Sequence, residues 1–225
     1  MFCHRQKIIF FLTNCTQKYK MIGNKYSNLL NSKLKENIEV RNIQEGWKEI
    51  SSNNLITMYS TSYKGHQVQL NKFEGIVPVN FEKAAQFYFE NLDDQKKNRD
   101  ICEQFFKIEN VDENTFVAYY QSKGNQIVSS RYVIGVQHRI KLNDNEYLIT
   151  RDSIDEHPNS PKTDAIQADQ IISATFLKKV SQFTTKLEIY SLFDPKINLP
   201  TTSSNFINQK KLESINKDLD IIKQM

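Results

Sequence analysis

The stretch VSSRYVIGVQHRIKLNDNEYLITRDSI (residues 128–154) predicts two long β-strands joined by an Asn/Asp turn. Successive side chains of a strand point to opposite faces of its sheet. In residues 131–140 both alternating sets contain apolar groups. A sheet with apolar groups on both faces is covered on both sides. We therefore expect this pair of strands to lie at the centre of the fold.

Similar strand-like runs extend the predicted sheet in both directions. Runs at 55–63 and 67–77 come first, and later runs lie at 103–109, 114–121, 126–140, 146–155, 165–178 and 182–193. Asn, Asp and Gly stand at most of the breaks, and these residue types favour turns. The pattern predicts a large antiparallel sheet.

Helices are predicted before, within and after this series of strands. Apolar residues recur at spacings of three and four between Tyr19 and Ile38, and Asn80 can cap a helix that follows the second strand. The segment 93–100 is highly charged and is expected to be a loop. After Pro200 an apolar stripe predicts a long C-terminal helix. The order of elements indicates an α+β fold in which the sheet grips a helix.

Length and composition suit one domain with a short tail. The 225 residues carry a net charge of +4 with Lys and Arg spread along the chain. This spread argues against nucleic-acid binding and is compatible with weak attraction to anionic membranes. The three cysteines form no CxxC pair, which disfavours disulfides and zinc and favours the cytoplasm. We predict a tail over 1–17 and one domain over 18–225.

Motifs for catalysis, metals or nucleotides are missing from the sequence. It contains no GxSxG, P-loop or GxGxxG pattern, and its four histidines form no metal-binding spacing. His138 lies on an alternating strand and is expected to be a hydrogen-bonded structural histidine, whereas His157 is expected in a solvent-facing turn. We predict no enzyme activity, no metal and no cofactor.

Several short motifs occur in an order that resembles the START family of the helix-grip superfamily. They are EGWKEI (45–50), KFEGIVP (72–78), SSRYVIGV (129–136), TDAIQA (163–168) and SLFDPKINLPTTSSNF (191–206). The resemblance covers about residues 20–222. It implies a curved antiparallel sheet around the C-terminal helix, an N-terminal helix, a helix after the third strand and a tunnel for one lipid. The last helix and the loop from Lys141 to Glu146 are expected to act as its gate.

The chain differs from sterol-binding members of that family at the positions of their charged residues inside the tunnel. Those members place an acidic residue and an arginine on facing strands, where this sequence has Tyr120 and Gln137. Gln167 replaces the arginine of the V-R-A motif, and Arg99-Asp100 replaces a W-D pair. We therefore expect no sterol preference, and a neutral polar end formed by Tyr120 and Gln137.

The resulting hypothesis is a monomeric cytoplasmic protein that binds a single phospholipid or other lipid and carries or senses it during transient membrane contact. Two alternatives remain open: a hydrolase or cyclase on the same scaffold, and a non-lipid interaction module with a collapsed pocket. The predicted ligand-binding residues are Phe116, Ala118, Tyr120, Val133, Gly135, Gln137, Leu212, Ile215 and Leu219.

Overall fold

The computed structural model describes residues 24–124, 128–197 and 201–225, with the backbone alone for 201–208. The predicted tail over 1–17 and the first residues of the predicted N-terminal helix lie outside this part of the chain. The described elements, in chain order, are α1 (Ser27–Arg41), β1 (Lys48–Ser52), β2 (Thr57–Thr61), β3 (Leu70–Val77), α2 (Phe81–Glu90), α3 (Leu92–Asn98), β4 (Cys102–Asp112), β5 (Thr115–Ser122), β6 (Arg131–Asn143), β7 (Glu146–Ile154), β8 (Ile166–Gln167), β9 (Asp169–Ser181), β10 (Thr184–Asp194) and α4 (Thr201–Gln224).

The strands form one sheet in the order β1-β2-β3-β10-β9-β7-β6-β5-β4. Every pairing along this path is antiparallel, and the two-residue β8 adds a short parallel pairing to β6. The chain therefore has the α+β helix-grip fold, as the sequence predicted, with a sheet around the long helix α4.

The two faces of the sheet are covered by different helices. On the outer face Leu30 and Leu34 of α1 pack into clusters with residues of β5, β6, β9 and β10. On the inner face α2 and α4 share a larger cluster with the sheet, which includes Phe81, Phe116 and Leu219. Apolar groups on both sides of the strands thus have the partners that their alternation predicted.

The helices on the inner face begin and end for local chemical reasons. The side chain of Asn80 accepts a hydrogen bond from the backbone N–H of Lys83 at 3.0 Å and caps α2, as predicted. The prediction of a loop over 93–100 is wrong, because α3 occupies most of it. Leu92, Gln95 and Asn98 recur every three residues and are buried, so one face of this charged helix packs inward.

The segment from Lys141 to Glu146, expected to act as a gate, is short, and its role as a gate stays a prediction. Asn143 pairs with Glu146, so β6 and β7 are joined there by a tight turn. The longer connection 155–168 lies at the other end of the sheet, where β6 begins and β10 ends. Arg131, at that end, is buried and donates a hydrogen bond from Nε to the carbonyl oxygen of Pro195 at 2.7 Å.

His138 and His157 are both buried in the structure. His138 is buried, and its Nδ1 lies 2.8 Å from Oγ1 of Thr115, as expected for a structural histidine. The expectation for His157 is wrong, because its side chain is buried and Nε2 lies 2.7 Å from a carboxylate oxygen of Glu109. The turn that contains His157 folds back onto β4.

Candidate functional site

The predicted ligand-binding residues of β5 and β6 lie on one face of the sheet. Residues that pair directly across antiparallel strands project to the same side, and the register places three such pairs in a row. They are Phe116 with Gln137, Ala118 with Gly135, and Tyr120 with Val133. Phe116 and Ala118 belong to the same buried cluster as Leu212, Ile215 and Leu219 of α4. The predicted residues of β5 and β6 therefore share one face of the sheet, and those of α4 belong to the apolar cluster on that face. The region between this face and α4 is here called the chamber.

Gln137 is the polar centre of this face and is completely buried. Its Nε2 donates hydrogen bonds to the carbonyl oxygens of Tyr88 at 3.1 Å and Phe89 at 2.8 Å. These carbonyls belong to the last turn of α2, where no intrahelical donor is available to them. Gln137 thus caps α2 and has its amide oxygen directed away from that helix.

The amide oxygen of Gln137 meets Arg151, a residue that the sequence analysis missed. Arg151 pairs with Gln137 across β6 and β7, and its Nε donates to Oε1 of Gln137 at 2.8 Å. The predicted partnership of Gln137 with Tyr120 is therefore wrong, since Tyr120 pairs with Val133 two rows away. The polar end of the chamber contains a guanidinium group rather than two neutral groups.

Two neighbours create the space in which Arg151 lies over the sheet. A Cβ atom added to Gly135 would stand 2.7 Å from Cγ of Arg151, so glycine is needed for this side-chain path. At the far end, Cζ of Arg151 lies 4.5 Å from the centroid of the Phe105 ring. This is the distance of a cation–π contact, which favours a flat guanidinium over an aromatic face.

The charge of Arg151 is desolvated and lacks an acidic partner. Burial lowers the pKa of Arg151 to about 9, and the nearby charge of Arg99 contributes to the same shift. Arg151 as a whole residue is only partly buried, so part of it remains accessible. Among the residues that the structure describes, no carboxylate lies within ion-pair distance of it. The arginine is thus held by Gln137 and Phe105 without a counter-ion.

A second polar group connects α3 with α4 beside Arg151. Asp218 of α4 is fully buried and accepts hydrogen bonds from Nδ2 of Asn98 at 2.8 Å and Nη2 of Arg99 at 3.2 Å. Burial raises the pKa of Asp218, although both partners oppose this shift. Asp218 therefore holds α4 against α3 and neutralises Arg99, while leaving Arg151 unpaired.

Two tyrosines complete the polar end of the chamber. The Tyr88 hydroxyl is buried and has no hydrogen-bond partner within the described ranges, and burial together with the charge of Asp218 raises its pKa well above the ordinary value. Burial also raises the pKa of Tyr120 to about 12. Both hydroxyls are therefore neutral hydrogen-bonding groups in the protein.

Lys211 is a further cation on the inner side of α4. It lies on the same line of the helix as Ile215, Asp218 and Ile222, at spacings of four, three and four residues. Burial lowers the pKa of Lys211 to about 8. Asp218 stands two turns further along, about 10 Å away at ~1.5 Å per residue.

One sequence signal for Arg151 was present but incomplete. Strand alternation places Arg151 on the same face as Ile149, which belongs to the inner cluster. A charged residue between inward-facing positions is unusual. Its meeting with Gln137, however, depends on the register of β6 against β7, which a one-residue irregularity between Lys141 and Asn143 changes. Sequence spacing alone does not give that register.

The described ranges contain neither a candidate metal site nor a candidate membrane-spanning helix. Within them no group of three or more His, Cys, Asp or Glu residues is placed to hold a metal ion. None of the described helices is long and apolar enough to span a membrane.

Comparison with known proteins gives a consistent fold assignment. Residues 30–219 match the START domain model. Human StAR-related lipid transfer protein 5 is 15% identical with a TM-score of 0.76, covering 88% of this chain and 96% of that one. Human STARD10 is 17% identical with a TM-score of 0.69, covering 89% and 81%. A STAR-related lipid transfer protein fragment from Xanthomonas axonopodis is 12% identical with a TM-score of 0.62, covering 80% and 98%. No curated protein sequence matches the chain.

Proposed function

Because the chain belongs to the START-domain family, we propose that it binds one lipid molecule in the chamber between the sheet and α4. The observation that supports this proposal is that one face of β5 and β6 packs in the same apolar cluster as Leu212, Ile215 and Leu219 of α4. Apolar surface removed from water contributes about 25 cal/mol per Å². Lipid-binding sites need a mostly apolar lining and a few polar groups that fix orientation.

We further propose that the protein carries or senses this lipid during transient contact with a membrane. The names of the similar human protein and of the Xanthomonas fragment refer to lipid transfer. The net charge of +4 favours anionic membrane surfaces. In this proposal residues 18–225 act as one monomeric, cytoplasmic lipid-binding domain, 1–17 form a tail, and no catalytic step or cofactor is involved.

A vesicle extraction experiment tests the proposal. The protein is incubated with phosphatidylcholine vesicles that contain mixed radiolabelled lipids, and the vesicles are then removed by sedimentation. We expect about one labelled lipid per protein to stay in solution. Ala118→Trp fills the chamber between Phe116 and Tyr120 and should lower this amount at least tenfold.

The matched control is Phe106→Trp, because Phe106 is an exposed aromatic residue on the neighbouring strand β4. It should extract lipid as the parent protein does. Thermal unfolding shows whether both variants are folded. Equal extraction by Ala118→Trp and the parent protein would place the lipid elsewhere and contradict the proposal.

A further inference from the structure

We infer that Arg151 is the recognition group for an anionic lipid head group, so that the chamber selects amphipathic lipids carrying a phosphate or carboxylate over their uncharged analogues. The inference rests on the proposed lipid-binding function and specifies its ligand class. Arg151 is the cation, Gln137 positions it, and Tyr120 is the neutral hydrogen-bonding residue nearby.

Arg151 lacks a counter-ion among the described residues. Removing a charged group from water costs several kcal/mol unless an opposite charge or strong hydrogen bonds replace the water. Arg99, its neighbour, has Asp218 as a partner at 3.2 Å. Arg151 has hydrogen bonds to the neutral amide oxygen of Gln137 alone among the described residues. A bound anion would supply the charge that the protein itself does not place there.

The guanidinium group of Arg151 is held in place and has a donor to spare. Nε and Nη2 of Arg151 are both directed at Gln137, which leaves Nη1 without an acceptor in the described part of the chain. The planar guanidinium group matches phosphate and carboxylate oxygens better than a lysine ammonium group does. Contact with Phe105 and the path over Gly135 fix the group before a ligand arrives, and such preorganisation favours binding.

Tyrosine hydroxyl groups are further hydrogen-bond donors at this end of the chamber. Tyr88 is buried to more than nine tenths, and its hydroxyl has no partner among the described groups. A buried polar group without a partner is costly. Tyr88 and Arg151 both lie within electrostatic range of Arg99. The Tyr120 ring lies 5.8 Å from the Phe105 ring, over which the guanidinium group of Arg151 is placed, so a tyrosine hydroxyl and the unpaired guanidinium group lie on the same side of the sheet for an oxyanion.

The balance of charge inside the chamber agrees with this ligand class. Arg99, Arg151 and Lys211 supply positive charge on this side of the fold, and Asp218 pairs with Arg99. Neutral lipids such as sterols or diacylglycerols would leave this excess uncompensated. Lys211 lies about two helical turns from Asp218 and adds positive potential along the inner side of α4.

The inference is tested with short-chain ligands that differ in charge, because these dissolve without a membrane and exclude attraction to the vesicle surface. The two pairs are dihexanoyl phosphatidate with dihexanoylglycerol, and decanoate with decanol, with inorganic phosphate as a free-anion probe. Binding is measured by calorimetry on the full chain. The variants are Arg151→Met and Arg151→Lys, with Lys217→Met as a control because Lys217 is an exposed cation on α4.

We expect the parent protein to bind the charged member of at least one pair more than tenfold more tightly than its neutral analogue. Arg151→Met should lose at least tenfold toward that charged ligand and stay within twofold toward the neutral one. Arg151→Lys should be intermediate, and Lys217→Met should be unchanged. Should Arg151→Met fail to fold, Arg151→Gln keeps a neutral side chain that can donate to the amide oxygen of Gln137, and it should cause the same loss of preference.

Equal binding of charged and neutral ligands by the parent protein would overturn the inference, as would an unchanged preference in Arg151→Met. In both cases lipid binding itself would stand. Binding of inorganic phosphate as tight as that of dihexanoyl phosphatidate would assign the site to free anions instead of lipid head groups. Binding of no ligand, together with no extraction from vesicles, would overturn both this inference and the proposed function.

Discussion

The Nε atom of Arg151 donates a hydrogen bond to the amide oxygen of Gln137 at 2.8 Å, and the amide nitrogen of Gln137 donates to two carbonyls of α2. One buried glutamine thus connects β6 with β7 and with the end of the helix that packs on them. The direction of its amide group is fixed by donors on one side and acceptors on the other. The packing of α2 and the position of Arg151 therefore depend on the same side chain.

Gln137→Leu should destabilise the protein by about 2–3 kcal/mol. The change leaves the carbonyl of Phe89 and the guanidinium group of Arg151 without their buried partner, while the carbonyl of Tyr88 keeps Gln95 Nε2 at 3.3 Å. Each such loss costs about 1–3 kcal/mol before relaxation. Unfolding in urea measures the difference. Gln209→Leu is the control, because Gln209 is exposed on α4 and bonds to Glu213. It should change stability by less than about 0.5 kcal/mol, and similar losses in both variants would contradict the role of Gln137.

Gly135→Ala should destabilise the protein through Arg151 specifically. The new methyl group would stand 2.7 Å from Cγ of Arg151, and overpacking of this kind costs about 1–3 kcal/mol. A double-mutant cycle with Arg151→Ala separates this contact from general effects on the strand. We expect most of the cost of Gly135→Ala to disappear in the Arg151→Ala background. A full cost in both backgrounds would mean that the clash lies elsewhere.

Asp218→Ala should loosen α4 without changing the sheet. The substitution removes the carboxylate that accepts from Asn98 and Arg99, and loss of one partner from a buried pair costs about 3–5 kcal/mol when fully shielded. Because the Arg99 side chain is 25% exposed, we expect about 2–3 kcal/mol. Hydrogen exchange should accelerate in 209–224 more than in β6 or β7.

The control for α4 is Asp220→Ala, two residues further along the helix. Asp220 is exposed and pairs with Lys223 on the helix surface, and surface pairs contribute about 0–1 kcal/mol. This variant should leave exchange in α4 unchanged. Equal acceleration in both variants would indicate loss of helix propensity rather than loss of the Asp218 contacts.

Asp152 should make the folded state less stable as the pH rises from about 4 to about 7. This residue of β7 is completely buried, and burial raises its pKa to about 7 from the usual value of 3.8. The folded protein therefore binds this proton more tightly than the unfolded chain does. Its contribution to the free energy of unfolding is full below about pH 4 and is lost as the pH rises through 7.

Asp152→Asn tests this sign directly, because asparagine stays neutral at every pH. A shift of about three pKa units corresponds to about 4 kcal/mol, so the variant should be more stable than the parent protein by several kcal/mol at pH 8. The two proteins should have similar stability at pH 4. Chemical unfolding at both values measures the difference, and a constant difference across this range would contradict the raised pKa of Asp152.

Much of the fold follows from sequence patterns, while the polar chemistry of the chamber does not. Strand alternation predicted β4 to β10 closely, and the stripe after Pro200 predicted α4, because these patterns are local. The helix α3 was missed because most of its residues are charged or polar, and two of its three buried residues, Leu92, Gln95 and Asn98, are polar as well. The pairing of Gln137 with Arg151 depends on strand register, and the irregularity near Asn143 makes that register a tertiary property.

Native mass spectrometry of the protein purified from cells without added lipid is the most direct test of the central claim. We expect a stoichiometric adduct that is a few hundred daltons heavier than the bare chain and that organic extraction identifies as one lipid. Ala118→Trp, purified in the same way, should lack the adduct, whereas Phe106→Trp should retain it. A bare mass for the parent protein that stays unchanged after incubation with mixed vesicles would contradict the claim that the chamber holds a lipid.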